Sequence, residues 1–484
     1  MKKQVSAIVL LITLASLLFT NYISVNAETP INGIITSNTT WTKTNSPYTL
    51  QGPVAVNQGV TLTIEPGVTI NLNNHYIQVN GTLLVRGTDN EKIVFDGGLV
   101  TFTSISQQTG QASTIENVVA DSLAVWTSMT ITKCTIKGLD VGSSVTVIRN
   151  TIESLSASEN AVVTNNEITQ NCHVGGSAKI TSNNIDARVI VNVGSTPTIS
   201  NNKISDGVHI DSNGARVTVS GNEIHAKNAY PRIFVAGSHA EITNNLIVGS
   251  SFAKPVGISV GGYLSSATIT GNQIYNCQTG ITVQQSAVEI SKNVIANCEI
   301  AVNIMLTAPI SGATPPYNIT PIVEVKTNTI AKNTMGIIYQ PYDATSTITG
   351  NNIYDNTEYN FKLLQYMQDI NIPNNWWGTT DTTQISQKIY DYQADFNLGH
   401  VIVDPVLTSP ASGAPTIPAN IPSDTPQPTA FTTPNPTQNL TTTPSQPANT
   451  SPTELNIVEI AILAVLVVIA FLLAVLIITL RRKK

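Results

Sequence analysis

The chain has 484 residues, of which 11% are charged, with 24 Lys and Arg against 30 Asp and Glu and a formal net charge of −6. That balance leaves no basic footprint for nucleic acid, and solubility resting on Asn, Thr and Ser rather than on ion pairs is the composition of an extracellular protein. The six histidines show no His-x-His or His-x3-His spacing, so no metal and no cofactor are expected.

Residues 1–27 read as a secretory signal: Lys2 and Lys3, an apolar run from Ala7 to Phe19, and a small-residue close at Val25-Asn26-Ala27. Residues 28–115 alternate short strands with Pro-Gly and Asn-Gly turns and are assigned to an N-terminal cap and the first coils. Residues 116–373 then repeat one phrase, an apolar alternation followed by Asn-x-Ile, as in VTVIRNTI, AVVTNNEI and ATITGNQI. The closing hydrophobes, from Val119 and Ile136 through Ile330 and Ile353, lie 16 to 35 residues apart. Self-similarity at such a period marks a solenoid, and a Val/Ile/Thr alternation broken by Gly, Asn and Ser marks strands. The fold class is therefore all-β, a parallel β-helix in which stacked Ile forms an inner ladder. The Asn before each Ile is assigned a structural job: it tolerates a left-handed turn, and stacked amides hydrogen-bond along the axis. Cys134 takes that place in one coil.

Residues 374–407 contain NNWWG and the four-residue spacing of Ile385 and Ile389, which predicts a short amphipathic helix in a C-terminal capping segment. Residues 408–455, rich in Pro and Thr, are expected to form an extended stalk. Residues 457–480 read as a transmembrane helix, because the 21 residues of Ile460–Leu480 are almost wholly apolar and suffice for a core of roughly 30 Å. Residues 481–484, Arg-Arg-Lys-Lys, then fix the cytoplasmic side. The expected location is the membrane, single-pass, with the body outside; the alternative is a hydrophobic sorting tail that is removed. Sequons for N-glycosylation stand at Asn38, Asn80, Asn318, Asn439 and Asn449.

The phrase SPYTLQGPVAVNQGVTLTIEPGVTI, the Asn-x-Ile coils and NNWWG resemble the right-handed parallel β-helix proteins of bacterial and archaeal cell surfaces, over roughly residues 31–407. The coils are similar to the NosD-like β-helix domain within the pectate-lyase-like superfamily, and the stalk, lone helix and basic tail resemble archaeal surface proteins. The resemblance implies fold and location. That superfamily includes lyases, hydrolases, epimerases and adhesins, so it leaves the activity open.

Residues for catalysis are sparse. Glycoside hydrolysis generally needs two carboxylates across the substrate, but the chain holds no Asp-Asp pair and no Gly-His-Gly, and Asp186, Asp206 and Asp211 do not share one phase for calcium. No catalytic residue is assigned. Aligning the coils on Cys172/Val174, Val189/Val191, Val208/Ile210 and Ile233/Val235 leaves His173, His209 and Phe234 on one outward face, with Asp211 beside His209 and Arg188 and Arg232 flanking. This is the candidate binding face for polysaccharide. His173 and His209 sit two coils apart, roughly 9–10 Å, too far to share one ion. Where coils lengthen, at residues 225–231, 248–263 and 302–321, loops should leave the solenoid. Cys277 and Cys298 share a phase on successive coils, within disulfide reach; a bridge and a pair of stacked free thiols are both open. The expected function is a membrane-anchored, non-catalytic surface protein that recognises polysaccharide or builds the cell envelope. The alternative is a tethered polysaccharide lyase or hydrolase.

Overall fold

A computed structural model describes residues 28–422, apart from residues 106–112, 143, 212–213, 226, 228–229, 251–253, 263, 308–320 and 343–345. The expected signal peptide, membrane helix, basic tail and the part of the expected stalk beyond residue 422 lie outside the described residues. Short strands follow one another from Thr29–Ile35 onward, and every strand pairing is parallel. Among the described residues they form a 26-stranded sheet and a 15-stranded sheet. Each coil supplies one strand to the smaller sheet, crosses the Asn turn, and lays two stretches into the larger sheet. We call these stretches the first and second faces.

The Ile ladder runs Ile136, Ile152, Ile168, Ile185, Ile204, Ile224, Ile247, Ile274, Ile295, Ile330, Ile353, each paired with the next. All are buried. Its start differs from the expected one: Ala120, not Val119, pairs with Ile136. Val119 is half-buried and faces outward, so the first step is one residue shorter.

The Asn series has one job, not two. Asn166 Oδ1 accepts from Asn150 N at 2.9 Å and from Asn150 Nδ2 at 3.0 Å, while Asn166 Nδ2 donates back to the Val147 carbonyl at 2.9 Å. The same pattern recurs at Asn183, Asn202, Asn222, Asn245, Asn272, Asn293, Asn328, Asn351 and Asn375. The left-handed conformation falls on the preceding residue instead: Arg149 (φ 59°), Asn165 (55°), Asn244 (55°) and Lys292 (54°). At Gly221, Gly271 and Gly350 glycine fills that place. A left-handed non-glycine residue costs about 1–2 kcal/mol, and the buried amide bonds next to it offset that cost.

A second ladder, three residues past the closing hydrophobe, was not anticipated. Cys298 N donates to Asn333 Oδ1 at 2.9 Å, Asn333 N to Asn356 Oδ1 at 3.0 Å, and Asn356 Nδ2 to Asn360 Oδ1 at 2.9 Å. Again the residue before is left-handed, at Asn276, Asn297, Lys332 and Asp355. Cys277 and Cys298 occupy this phase as free, buried thiols rather than as a bridge. Cysteine thus stands where amide ladders begin: Cys134 N likewise donates to Asn150 Oδ1 at 2.9 Å.

At the C-terminal end the helix is Thr382–Ser386, capped by Asp381, whose carboxylate accepts from Thr383 N and Gln384 N. Only Ile385 of the predicted pair lies in it. Ile389 belongs to the strand Ile389–Tyr390 and pairs with Phe361. Residues 411–422, expected to belong to an extended stalk, are held against the coils instead. Ala411 N donates to Asn352 Oδ1 at 2.7 Å, Thr329 Oγ1 bonds the Pro415 carbonyl, and Asn276 Nδ2 reaches the Pro422 carbonyl at 3.1 Å. Residues 411–422 therefore run back along the first face as a strap. The reason is legible in that face's outward positions, which are Glu167, Lys203 and Glu223 in earlier coils. Under the strap the same position holds Leu246 and Val294, with Gln273 between them, and the position after each Ile holds Tyr275 and Ala296; Ile417 and Ile421 pack on this stripe.

Candidate functional site

In early coils the two faces form one continuous strand, as in Thr151–Ala157 and Glu167–Val174. From the next coil the strand splits, into Asn184–Ile185 and Val189–Val191, then Lys203–Ile204 and Val208–Asp211, then Glu223–His225 and Ile233–Ala236. The turn that opens between them widens from three residues to seven. Gly207, at φ 103°, makes the close approach: a Cβ there would sit 2.3 Å from the Arg232 carbonyl oxygen.

A hollow of about 200 Å³ forms where this turn widens, lined by Arg188, Val208, His209, Tyr230, Pro231 and Phe234. The His209 and Phe234 rings pack with centroids 4.8 Å apart, on residues that pair across the sheet. The Arg188 guanidinium lies 5.1 Å over the Tyr230 ring, and its Nη2 stands 3.2 Å from Asp206 Oδ2. The other Asp206 oxygen is 3.7 Å from Arg232 Nη1.

Arg232 corrects the expected face. Its side chain is fully buried, with Nε donating to the Tyr230 carbonyl at 3.1 Å and Nη2 to the same oxygen. It sits in the turn, one residue before the strand begins, so strand alternation does not set its direction. Burial lowers its pKa from the usual guanidinium value, and Asp206 opposes that shift. It is a buried brace for the hollow's floor and wall. Of the other expected residues, Arg188, His209 and Phe234 line the hollow. Asp211 stands 3.8 Å from His209 Nε2, outside it. His173 lies two strands from His209, with Ile190 between. Tyr230, Pro231 and Asp206 were missed as site residues. Tyr230, 64% exposed, was legible only as the one aromatic in the lengthened stretch 225–231.

The acids nearby are committed to cations. Asp186 is held below the ordinary carboxylate range, first by its hydrogen bond from Lys227, and Asp206 is shared by two guanidiniums. Among the described residues no three His, Cys, Asp or Glu side chains group to hold a metal ion. The expected loop at 302–321 falls between Ile300–Met305 on the second face and Val323–Lys326 in the smaller sheet, and its residues 308–320 lie outside the described ones. It thus departs from a different edge than the hollow. Of the sequons, Asn38 is exposed and its Oδ1 accepts from Thr61 N. Asn80 is half-buried, with Oδ1 accepting from Gln78 Nε2 and Thr103 Oγ1. Asn318, Asn439 and Asn449 lie outside the described residues.

Stacked parallel coils with an inner Ile ladder and a turn-edge hollow define a parallel β-helix protein. Residues 174–314, which contain all six residues that line the hollow, match the family model of the right-handed β-helix region, and residues 33–104 match that of the pectate-lyase-like β-helix domain. The chain is a right-handed β-helix protein. No curated protein matches it.

Proposed function

We propose that this β-helix is a non-catalytic recognition module of the cell surface that binds one sugar unit of a polysaccharide in the Arg188–Tyr230–Phe234 hollow. The observation that carries the reading is the hollow's lining: three rings, of His209, Tyr230 and Phe234, beside one guanidinium that lies over Tyr230 and is held on one edge by Asp206. Aromatic faces pack against the apolar C–H side of a sugar ring, and a guanidinium donates to its oxygens. Against catalysis stands Asp186, which the Lys227 hydrogen bond holds low where a general acid needs a raised pKa. The tethered lyase or hydrolase keeps one observation in its favour, the match of residues 33–104 to the pectate-lyase-like domain.

Anchoring belongs to the same proposal. It rests on the sequence of residues 1–27 and 457–484, with the body held outside by a single membrane span. Among the described residues no helix is long and apolar enough to cross a membrane.

The test is a binding screen of full-length protein in detergent against acidic and neutral polysaccharides, with and without calcium, repeated on Arg188→Ala and Phe234→Ala. Saturable binding that both substitutions weaken at least about tenfold supports the reading. Binding that neither changes removes the hollow, and shortened polymer chains in the product would replace recognition by catalysis.

A further inference from the structure

A second hollow, of about 520 Å³, opens at the C-terminal cap. It is walled by Asn360 at the end of the second amide ladder, by Trp377 and Thr379 from the capping segment, and by Gln384, Gln387 and Lys388 from the helix and the residues after it. Trp377 is 3% exposed, and nothing among the described residues accepts from its indole N–H. Leaving a buried donor unmatched costs about 1–3 kcal/mol, and natural structures rarely carry one without a reason. The indole nitrogen has almost no surface of its own, so an acceptor reaches it only when the rim shifts. Gln387, which is exposed, is the rim side chain with freedom to do so; Gln384, also exposed, donates its Nε2 to Asp381 Oδ2 at 3.0 Å.

The cation at this hollow is already spent. Lys388 Nζ donates to the carbonyls of Asn356, Thr357 and Glu358 at 3.2, 2.7 and 3.4 Å, so the cation closes the last coil. What remains on the wall are primary amides, a hydroxyl, an indole and the exposed carboxylate of Asp355, which repels an anion. A carboxamide donates and accepts side by side, which matches adjacent hydroxyls on an uncharged ring and gives nothing extra to an anion. The hollow also lies on the same edge as the Arg188 hollow, in the turn between first and second faces. The pairings from Ile233 through Ile258, Ile281, Val302 and Ile337 to Phe361 separate the two by five steps, about 24 Å at the usual strand spacing.

We propose that the cap hollow is a second binding subsite, specific for a neutral saccharide and independent of the Arg188 hollow. The experiment uses full-length protein carrying fluorotryptophan, in detergent, with the Trp377 resonance assigned by Trp377→Phe. The probes are methyl glycosides of glucose, galactose and mannose, and methyl glucuronoside as the anion. A saturable shift of the Trp377 resonance with at least one neutral glycoside is expected, absent with the glucuronoside. Gln384→Ala with Gln387→Ala, both on exposed side chains, should weaken it about tenfold, the worth of one or two hydrogen bonds. The shift should survive Arg188→Ala; polysaccharide binding left unchanged by that substitution while the shift persists would sink only the reading of the first hollow. No shift with any neutral glycoside, an equal shift with the glucuronoside, or loss of the shift on Arg188→Ala would each overturn the proposal.

Discussion

Replacing Asn272 by Ala tests the amide ladder where it is deepest, since Asn272 and its neighbours Asn245 and Asn293 are all at most 1% exposed. Asn272 Oδ1 accepts from Asn245 N at 2.9 Å and Asn245 Nδ2 at 2.9 Å, and its Nδ2 donates to the Ile242 carbonyl at 2.8 Å and to Asn293 Oδ1 at 3.0 Å. The substitution leaves Asn245 N–H without its acceptor, a cost of roughly 1–3 kcal/mol, and deletes further bonds worth about 1 kcal/mol each. The sum is roughly 3–5 kcal/mol after partial relaxation. Because a solenoid unfolds in neighbouring units rather than all at once, the assay is hydrogen exchange resolved over residues 222–295. At 1.4 kcal/mol per tenfold, protection there should fall by roughly two to four orders of magnitude, with the coils around Ile77 unchanged. Asn272→Asp sharpens the test. It keeps the acceptor but replaces the donor by an oxygen facing the Ile242 carbonyl, so it should cost at least as much as Ala. A loss below about 1 kcal/mol for Ala, or tolerance of Asp, would refute the ladder as a source of stability.

Ile417→Asp with Ile421→Asp should detach the strap, at about 1 kcal/mol for each half-buried side chain, and make residues 411–422 susceptible to limited proteolysis while the coils stay protected; an unchanged cleavage pattern would show that these side chains do not hold it. Asp121 is kept below the ordinary carboxylate value first by the Lys137 hydrogen bond, then by the Gly97 N–H. A depressed folded pKa stabilises above the unfolded value and stops doing so as pH falls through the folded one. Asp121→Asn should therefore lower the urea midpoint at pH 7, with a loss that shrinks as the pH is lowered through the acid range; a loss that does not change with pH would contradict the pairing. Burial pushes the Cys134 and Cys172 thiols up to about 12, and Cys277 is raised by sharing its proton with Cys298 and by burial. At pH 8 native protein should resist iodoacetamide, whereas protein unfolded without reductant should take up four carbamidomethyl groups by mass spectrometry. Two groups, with Cys277 and Cys298 protected, would establish the bridge instead.

Much of the coil register could be read from the chain because one residue, Ile, recurs at one inward position and a slip of one would turn every coil inside out. The turn was less legible. Asn is the residue most associated with left-handed backbone, so both jobs were given to it, yet Arg149, Ser182 and Thr327 carry positive φ while the Asn behind each holds the bonds. The second ladder was hidden by substitution: Cys277 and Cys298 look like a redox pair until Asn333 and Asn356 are seen in the same phase. The strap was hidden by composition. A Pro-rich segment reads as extended, and residues 411–422 need only Ile417 and Ile421 to hold it to an apolar stripe formed by residues far apart in sequence.

The same contrast explains the site. A regular coil presents a flat face, and His173, placed by alternation alone, stays on such a face. A hollow needs the alternation to fail, and it fails where the strand splits between Ile224 and Ile233. There Tyr230 and Pro231 rise over the face and Arg232 turns inward. Alternation therefore located His209 and Phe234, which lie on strands, and misjudged Arg232, which does not. If recognition depends on that departure, shortening the turn by deleting residues 226–229 should abolish the hollow while leaving the Ile204, Ile224 and Ile247 rungs paired. Exchange protection at those rungs, measured beside ligand binding, separates a lost site from a lost fold. Binding that persists without the turn would assign recognition to the flat sheet face and its regular positions.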